Sequence, residues 1–179
     1  MVRFWQISVL ILVCWGLTGC GGPSMRRYIN EEYSFSLLLP AGWQREEGSF
    51  GTIILVKAPE KQTEFQTNIN LTTGDLRAIE TQMGRKISLA EVYEVNKEAI
   101  LRTLPGIKEN LKEDEVLAGK DRGMLLSFDC RLGDLNLKFL VGVWMKAGRL
   151  YTLSCATEKE RFYQYLPIFK KTISSLRLR

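Results

Sequence analysis

The chain has 179 residues, 45% of them hydrophobic and 25% charged, with 25 Lys plus Arg against 20 Asp plus Glu. That length suits one domain with a core of its own, and the net charge of +5 is spread as mixed charge with no arginine-rich block, which argues against a nucleic-acid surface. Histidine is absent, which excludes His-based zinc sites, Cys–His dyads and Ser-His-Asp triads.

The chain opens on a targeting segment. Phe4, Trp5, Ile7, Val9, Leu10, Ile11, Leu12, Val13, Trp15 and Leu17 form an apolar run behind a single cation, Arg3. The run is short for a membrane span of about 20 residues, while a basic start, an apolar middle and small residues before a break are what an export leader needs. Leu17, Thr18, Gly19 and Cys20 resemble the lipobox of a bacterial lipoprotein. The resemblance implies cleavage after Gly19, with Cys20 as the lipidation site and the new N-terminus. In a host with two membranes, Gly21 further implies delivery to the periplasmic face of the outer membrane. A secretory leader or an uncleaved anchor with a chance cysteine is the alternative. Two or three acyl chains would anchor stably where one gives only reversible contact.

This reading divides the chain into a signal peptide (1–19), a lipidated N-terminus and short tether (20–27) and a single domain (28–179). Removing the leader removes Arg3, its one charge, and leaves +4 of the original +5. The tether contains Gly21, Gly22, Pro23 and Ser24, and is too short to carry the domain far from the bilayer. Arg26 and Arg27 either touch lipid headgroups or form a solvated basic junction.

Alternation of Tyr33, Phe35, Leu37 and Leu39 with their neighbours predicts one strand over 28–39, ended by Pro40, Ala41, Gly42 and Trp43. Ile53, Ile54, Leu55 and Val56 predict a strand over 51–57 buried on both faces. A third, over 65–73, sets Phe65, Thr67, Ile69 and Leu71 against a polar face of Gln66, Asn68, Asn70 and Thr72. The stretch 75–88 reads as a connector with one helical turn. Ser88 and Glu91 then form a capping box for a helix whose stripe is Leu89, Val92, Tyr93, Asn96, Ala99, Ile100 and Leu104, ended by Pro105 and Gly106.

Residues 107–117 read as a polar edge strand. After it, 123–130, 135–145 and 150–156 read as an antiparallel meander joined by short turns. Its middle strand puts Leu135, Leu137, Phe139, Val141, Val143 and Met145 on one face, with Leu140, Gly142 and Trp144 at the centre of the other. Thr157 and Glu160 read as a second capping box, and Pro167 predicts a break within the closing helix over 158–175. Phe162, Tyr165, Leu166, Phe169, Ile173 and Leu176 form its core side. Cys130 and Cys155 fall on strands separated by the middle strand, opposite about Leu135 and Leu140. That is too far for a disulfide Cα separation of about 4.4–6.8 Å, so free thiols are expected.

Tyr33, Ser34 and Phe35, then Leu39, Pro40, Ala41, Gly42 and Trp43, and later Phe162, Tyr165, Phe169, Ile173, Ser174, Ser175 and Leu176 resemble the PsbP/Mog1/DcrB-like superfamily and its bacterial lipoproteins. The resemblance implies an α/β fold, PsbP/Mog1-like, with an antiparallel six- or seven-stranded sheet covered by helices on both faces. Superfamily members include extrinsic photosystem II subunits, a regulator of a small nuclear GTPase and envelope proteins, and no residue set here matches their sites. The function expected is that of a membrane-tethered envelope lipoprotein acting as a non-enzymatic partner-binding or assembly-supporting module. Its partners would be the bacterial membrane, through the lipid anchor, and an unidentified envelope protein, with no nucleic acid. A binding module for a small hydrophobic or metal ligand is one alternative, and an enzyme without a recognised catalytic motif is another. Glu109, Glu113, Asp114 and Glu115 lack calcium-loop spacing. No catalytic residue, cofactor or metal is therefore expected, and Cys20 is the one site residue assigned.

Overall fold

The computed structural model describes residues 24–60, 63–103 and 111–179. Five strands come first: β1 (Met25–Asn30), β2 (Phe35–Pro40), β3 (Gln44–Glu47), β4 (Ile54–Lys57) and β5 (Asn68–Asp75). Helices α1 (Arg77–Met83) and α2 (Leu89–Thr103) separate these from β6 (Lys112–Ala118), β7 (Asp121–Leu132), β8 (Leu135–Lys146) and β9 (Arg149–Glu158). Helix α3 (Phe162–Ser175) and the short β10 (Arg177–Leu178) close the chain. Strands β3 to β9 form one seven-stranded antiparallel sheet in the order β3-β4-β5-β9-β8-β7-β6, and β1, β2 and β10 form a small second sheet.

The meander forms as the period-2 pattern demands. Strand β8 sends Leu137, Val141 and Val143 to one face, where they pack with Leu126, Phe128 and Cys130 of β7 and Tyr93 of α2. Its alternate residues Leu140 and Trp144 go to the other face, with Leu153 and Cys155 of β9, Ile69 and Leu71 of β5, and Phe162, Phe169 and Ile173 of α3. The seven-stranded sheet thus carries helices on both faces. Strand β2 adds Phe35, Leu37 and Leu39 to the α3 side, and its Leu38 N–H donates to Ser175 Oγ of α3 at 2.7 Å. Trp144 lies flat over glycine: a Cβ at Gly142 would fall 2.1 Å, and one at Gly123 2.4 Å, from the indole. Only glycine leaves room for this ring, which is fully buried.

Cys130 pairs with Leu137 rather than with the neighbourhood of Leu135, while Cys155 pairs with Leu140 as expected. The two thiols are free and lie in the two different cores, on opposite faces of the sheet. That parity separates them more decisively than the spacing along the strands does.

Several expectations are corrected. The stretch 28–39 is two strands of a hairpin, because Asn30 Oδ1 accepts from the Tyr33 N–H at 2.8 Å and turns the chain. Strand β1 also starts at Met25, inside the stretch read as tether. The polar β3, the small sheet and the full helix α1 were not expected. Strand β5 begins at Asn68, later than its sequence pattern suggested. The box of Thr157 and Glu160 does not form; Thr157 lies within β9, fully buried, with its hydroxyl 2.7 Å from that of Thr67. Helix α3 runs unbroken through Pro167. The carbonyl that Pro167 leaves without a helical partner is that of Tyr163, and both residues are exposed, so the helix tolerates the lost bond. Leu104, Pro105, Gly106 and Glu109 lie outside the described residues, as does the whole leader with Cys20.

Candidate functional site

An open groove of about 780 Å³ runs between α1 and α2, on the α2 face of the sheet. It begins with the local sequence after β5. Leu76, Ile79 and Met83 recur at helical spacing, so a short helix forms with one apolar stripe. Its start is docked on the β8–β9 turn, where the Leu76 N–H donates to Gly148 O at 2.8 Å. Asp75 accepts from the backbone and the guanidinium of Arg77. Its end is set by Gly84, whose φ of 64° suits a residue without a Cβ.

Glu80 points inward from α1 and holds the linker to α2. Its carboxylate accepts from Lys86 Nζ at 2.7 Å and from the Ile87 N–H at 3.2 Å, and these bonds hold its pKa below the usual carboxylate range. The expected capping box then opens α2: Glu91 Oε2 accepts from the Ser88 N–H at 2.8 Å, and Ser88 Oγ accepts from the Glu91 N–H at 3.2 Å. Arg85 adds an ion pair to Glu91 at 2.7 Å. The hydrogen bond from Arg85, with those from Ser88, draws the Glu91 carboxyl down to about 2. Backbone and side chains thus fix the angle between the two helices.

What they enclose is apolar. Leu76 and Leu150 floor the groove, and Ile79, Met83 and Val95 line it while remaining 47%, 49% and 69% exposed. Arg85, Glu91 and Glu94 stand at the rim. A concave apolar surface with a mixed-charge border fits a hydrophobic side chain, acyl group or helix face, and its rim carboxylates Glu91 and Glu94 are paired with Arg85 and Lys97. Sequence reading missed it. Val95 lay outside the predicted stripe of α2, and Leu76, Ile79 and Met83 lay in the stretch read as a connector.

The acids Glu113 and Glu60 have structural partners. Glu113 accepts from Tyr93 OH at 2.9 Å and from Lys97, which ties α2 to β6, and Asp114 and Glu115 sit beside it on the edge strand. Among the described residues no group of three or more acidic or cysteine side chains is arranged to hold a metal. Burial raises the pKa of both thiols, Cys155 most strongly. Glu60 is buried beside α3, 2.8 Å from Arg161 and bonded to Tyr165. Burial pushes its carboxyl up, but the hydrogen bonds from Tyr165 and Thr67 outweigh that and hold it below its ordinary value. The half-buried Asn70 and Thr72 of β5 pair across the strands with Ser154 and Thr152 of β9, forming the polar sheet face anticipated between 65 and 73.

Comparison with known proteins is consistent with this architecture. The family model described as PsbP matches residues 23–178. The cyanobacterial PsbP, CyanoP, of Synechocystis sp. PCC 6803 superposes with a TM-score of 0.62 at 17% identity, over 90% of this chain and 96% of that one. LpqN of Mycobacterium tuberculosis, involved in cell envelope biogenesis, gives 0.62 at 12% identity over 89% and 87%. A Pseudomonas aeruginosa protein of unknown function gives 0.59 at 16% identity over 87% and 97%. At these identities the likeness is one of fold. No curated protein matches the chain in sequence.

Proposed function

The chain belongs to the PsbP family, and from that premise we propose that it is a lipid-anchored protein of the bacterial cell envelope, without catalytic activity, that binds an apolar segment of an envelope partner between α1 and α2. The observation that carries this reading is the exposure of Ile79, Met83 and Val95 around one concave surface. Isolated apolar residues on a surface need no explanation, but three that line a single groove do. The leader ending in Cys20 supports the tether, and the envelope role of LpqN supports the compartment. The absence of histidine and the burial of both described thiols favour binding over chemistry.

A small hydrophobic ligand is the second reading, favoured by a volume of about 780 Å³, which lies within the range of small-molecule sites. One experiment separates the two. The protein and its Met83→Glu and Val95→Glu variants are purified from the native host's membranes under mild conditions, and bound proteins and solvent-extractable molecules are identified. A stoichiometric protein lost from both variants supports the partner reading, and an apolar molecule lost from both supports the ligand reading. Unchanged composition in folded variants rejects the groove as the site. Cys20→Ala tests the tether: it should yield a precursor or an unlipidated, released chain, and normal lipid labelling of that variant would reject Cys20 as the anchor.

A further inference from the structure

A second surface lies at the opposite end of the chain's path, where the domain leaves the proposed anchor. Arg26 and Arg27 of β1 are exposed, and across the hairpin they pair with Leu39 and Leu38 of β2. The turn after β2 brings the chain back beside them, with the Ala41 N–H donating to Ser24 O at 2.8 Å and Gly42 at a φ of 81°. That return sets Trp43 and Arg45 against β1, with the Arg45 guanidinium 5.4 Å from the centre of the Tyr28 ring. Together Arg26, Arg27, Trp43 and Arg45 line a cleft of about 350 Å³ whose lining contains no carboxylate. Arg45 reaches Glu47 at 3.5 Å, whereas among the described residues neither Arg26 nor Arg27 has a carboxylate within 4 Å. Cations of the seven-stranded sheet, such as Lys57 and Lys138, are matched with acids at 2.7 Å and 2.5 Å.

We propose that this arginine-lined cleft docks the domain onto the anionic phospholipid headgroups of the membrane that holds its anchor. The inference rests on the lipid-anchor reading. Three residues lie between Cys20 and Ser24, and the four residue steps span at most about 14 Å. An acylated Cys20 therefore keeps the cleft within about two Debye lengths of the bilayer surface, since that length is about 8 Å at physiological salt. The anchor also makes the contact intramolecular, so a site too weak to bind free lipid becomes occupied at the high local concentration. Guanidinium groups suit phosphate oxygens through paired N–H donors. Trp43 is half-buried at the cleft, and an indole is well matched to the headgroup level of a bilayer. Docking here orients the domain on the membrane.

The test uses the mature acylated chain in nanodiscs of phosphatidylcholine, with or without phosphatidylglycerol, each doped with a lipid spin-labelled at its headgroup. After Cys20 the chain has two tryptophans, Trp43 and the fully buried Trp144, so quenched emission reports Trp43. Anionic discs should quench it about twofold more than neutral ones, and the gain should vanish in about 1 M salt, where the Debye length is about 3 Å. Combined Arg26→Gln, Arg27→Gln and Arg45→Gln should abolish the gain without altering disc association or thermal midpoint. Equal quenching in both discs, or a gain that survives the triple variant, overturns the proposal. A gain erased by inorganic phosphate at matched ionic strength also overturns it, making free phosphate the ligand. The mass of the N-terminal peptide reads acylation separately, so failure of the anchor and failure of docking are distinct results.

Discussion

Beneath α3 the sheet buries Phe169, Trp144 and Leu153 completely, whereas the groove on the α2 face leaves Ile79, Met83 and Val95 with about half or more of their surface in water. Both faces are built from the same strands and the same period-2 alternation. The α3 side is closed twice over, by a long apolar helix and by the small sheet of β1, β2 and β10. The other side is closed over β7 and β8 by α2, and next to it a short α1 stands apart and leaves an apolar gap. Burial of apolar surface is the main favourable term in folding. The sealed face therefore holds the domain together, while the open face leaves apolar surface uncovered, as the proposed partner site requires.

The largest expected effect lies on the sealed face. Phe169, fully buried between Phe162 and Tyr165 at ring distances of 6.3 and 6.1 Å, should cost about 3–5 kcal/mol when changed to Ala, measured by denaturant unfolding. A loss below about 1 kcal/mol would mean that the helix is not part of the core. Next comes Gly142→Ala, whose new methyl must displace a fully buried indole or the backbone beneath it. The expected cost is about 1–3 kcal/mol. Combining it with Trp144→Phe, which removes the obstructing ring, should make the alanine less costly than in the parent chain.

Smaller effects mark the open face. Ser88→Ala should cost about 1 kcal/mol through loss of the N-cap of α2, as read from the unfolding midpoint. The partner in that cap gives a pH signature. The Glu91 carboxyl titrates at about 2 in the folded protein, below the unfolded value of about 4.3. Its contribution is therefore fully present above about pH 4.3 and is lost as pH falls through about 2. A carboxyl NMR titration of Glu91 should show the depressed midpoint, and one near 4.3 would mean that the cap and the Arg85 pair are not formed in solution. Val95→Glu should change stability least, within about 0.5 kcal/mol, since the side chain is already exposed. A large loss there would make the groove wall part of the core and erase the contrast.

The sealed face was largely legible in the sequence. Strands β7, β8 and β9 alternate cleanly and are separated by two-residue turns, and Gly133 and Gly148 supply the positive φ that such turns need. Phe162, Tyr165, Phe169 and Ile173 declared the buried side of α3 by their spacing, although Pro167 suggested a break that an exposed ring does not cause. The open face was harder to read. Strand β3 is Gln44, Arg45, Glu46 and Glu47, a polar run that pairs through its backbone and carries no alternation. Helix α1 is short and its start has no side-chain cap, so Leu76, Ile79 and Met83 gave only a weak helical signal. The groove itself depends on how α1 and α2 are set against each other through Glu80 and Lys86, contacts that no local pattern announces. Its one visible hint was Val95, an apolar residue off the stripe of an otherwise amphipathic helix.

Binding in the groove is tested by placing one photo-crosslinking residue at Val95 and, in a separate chain, at Tyr163, which is 80% exposed on the outer side of α3. Both positions present exposed apolar surface, so general stickiness affects them alike. After irradiation of intact cells of the native host, Val95 should give one dominant adduct that Met83→Glu abolishes, and Tyr163 should give none of it. Equal adducts from the two positions, or a Val95 adduct indifferent to Met83→Glu, would contradict the assignment of the groove as the binding face.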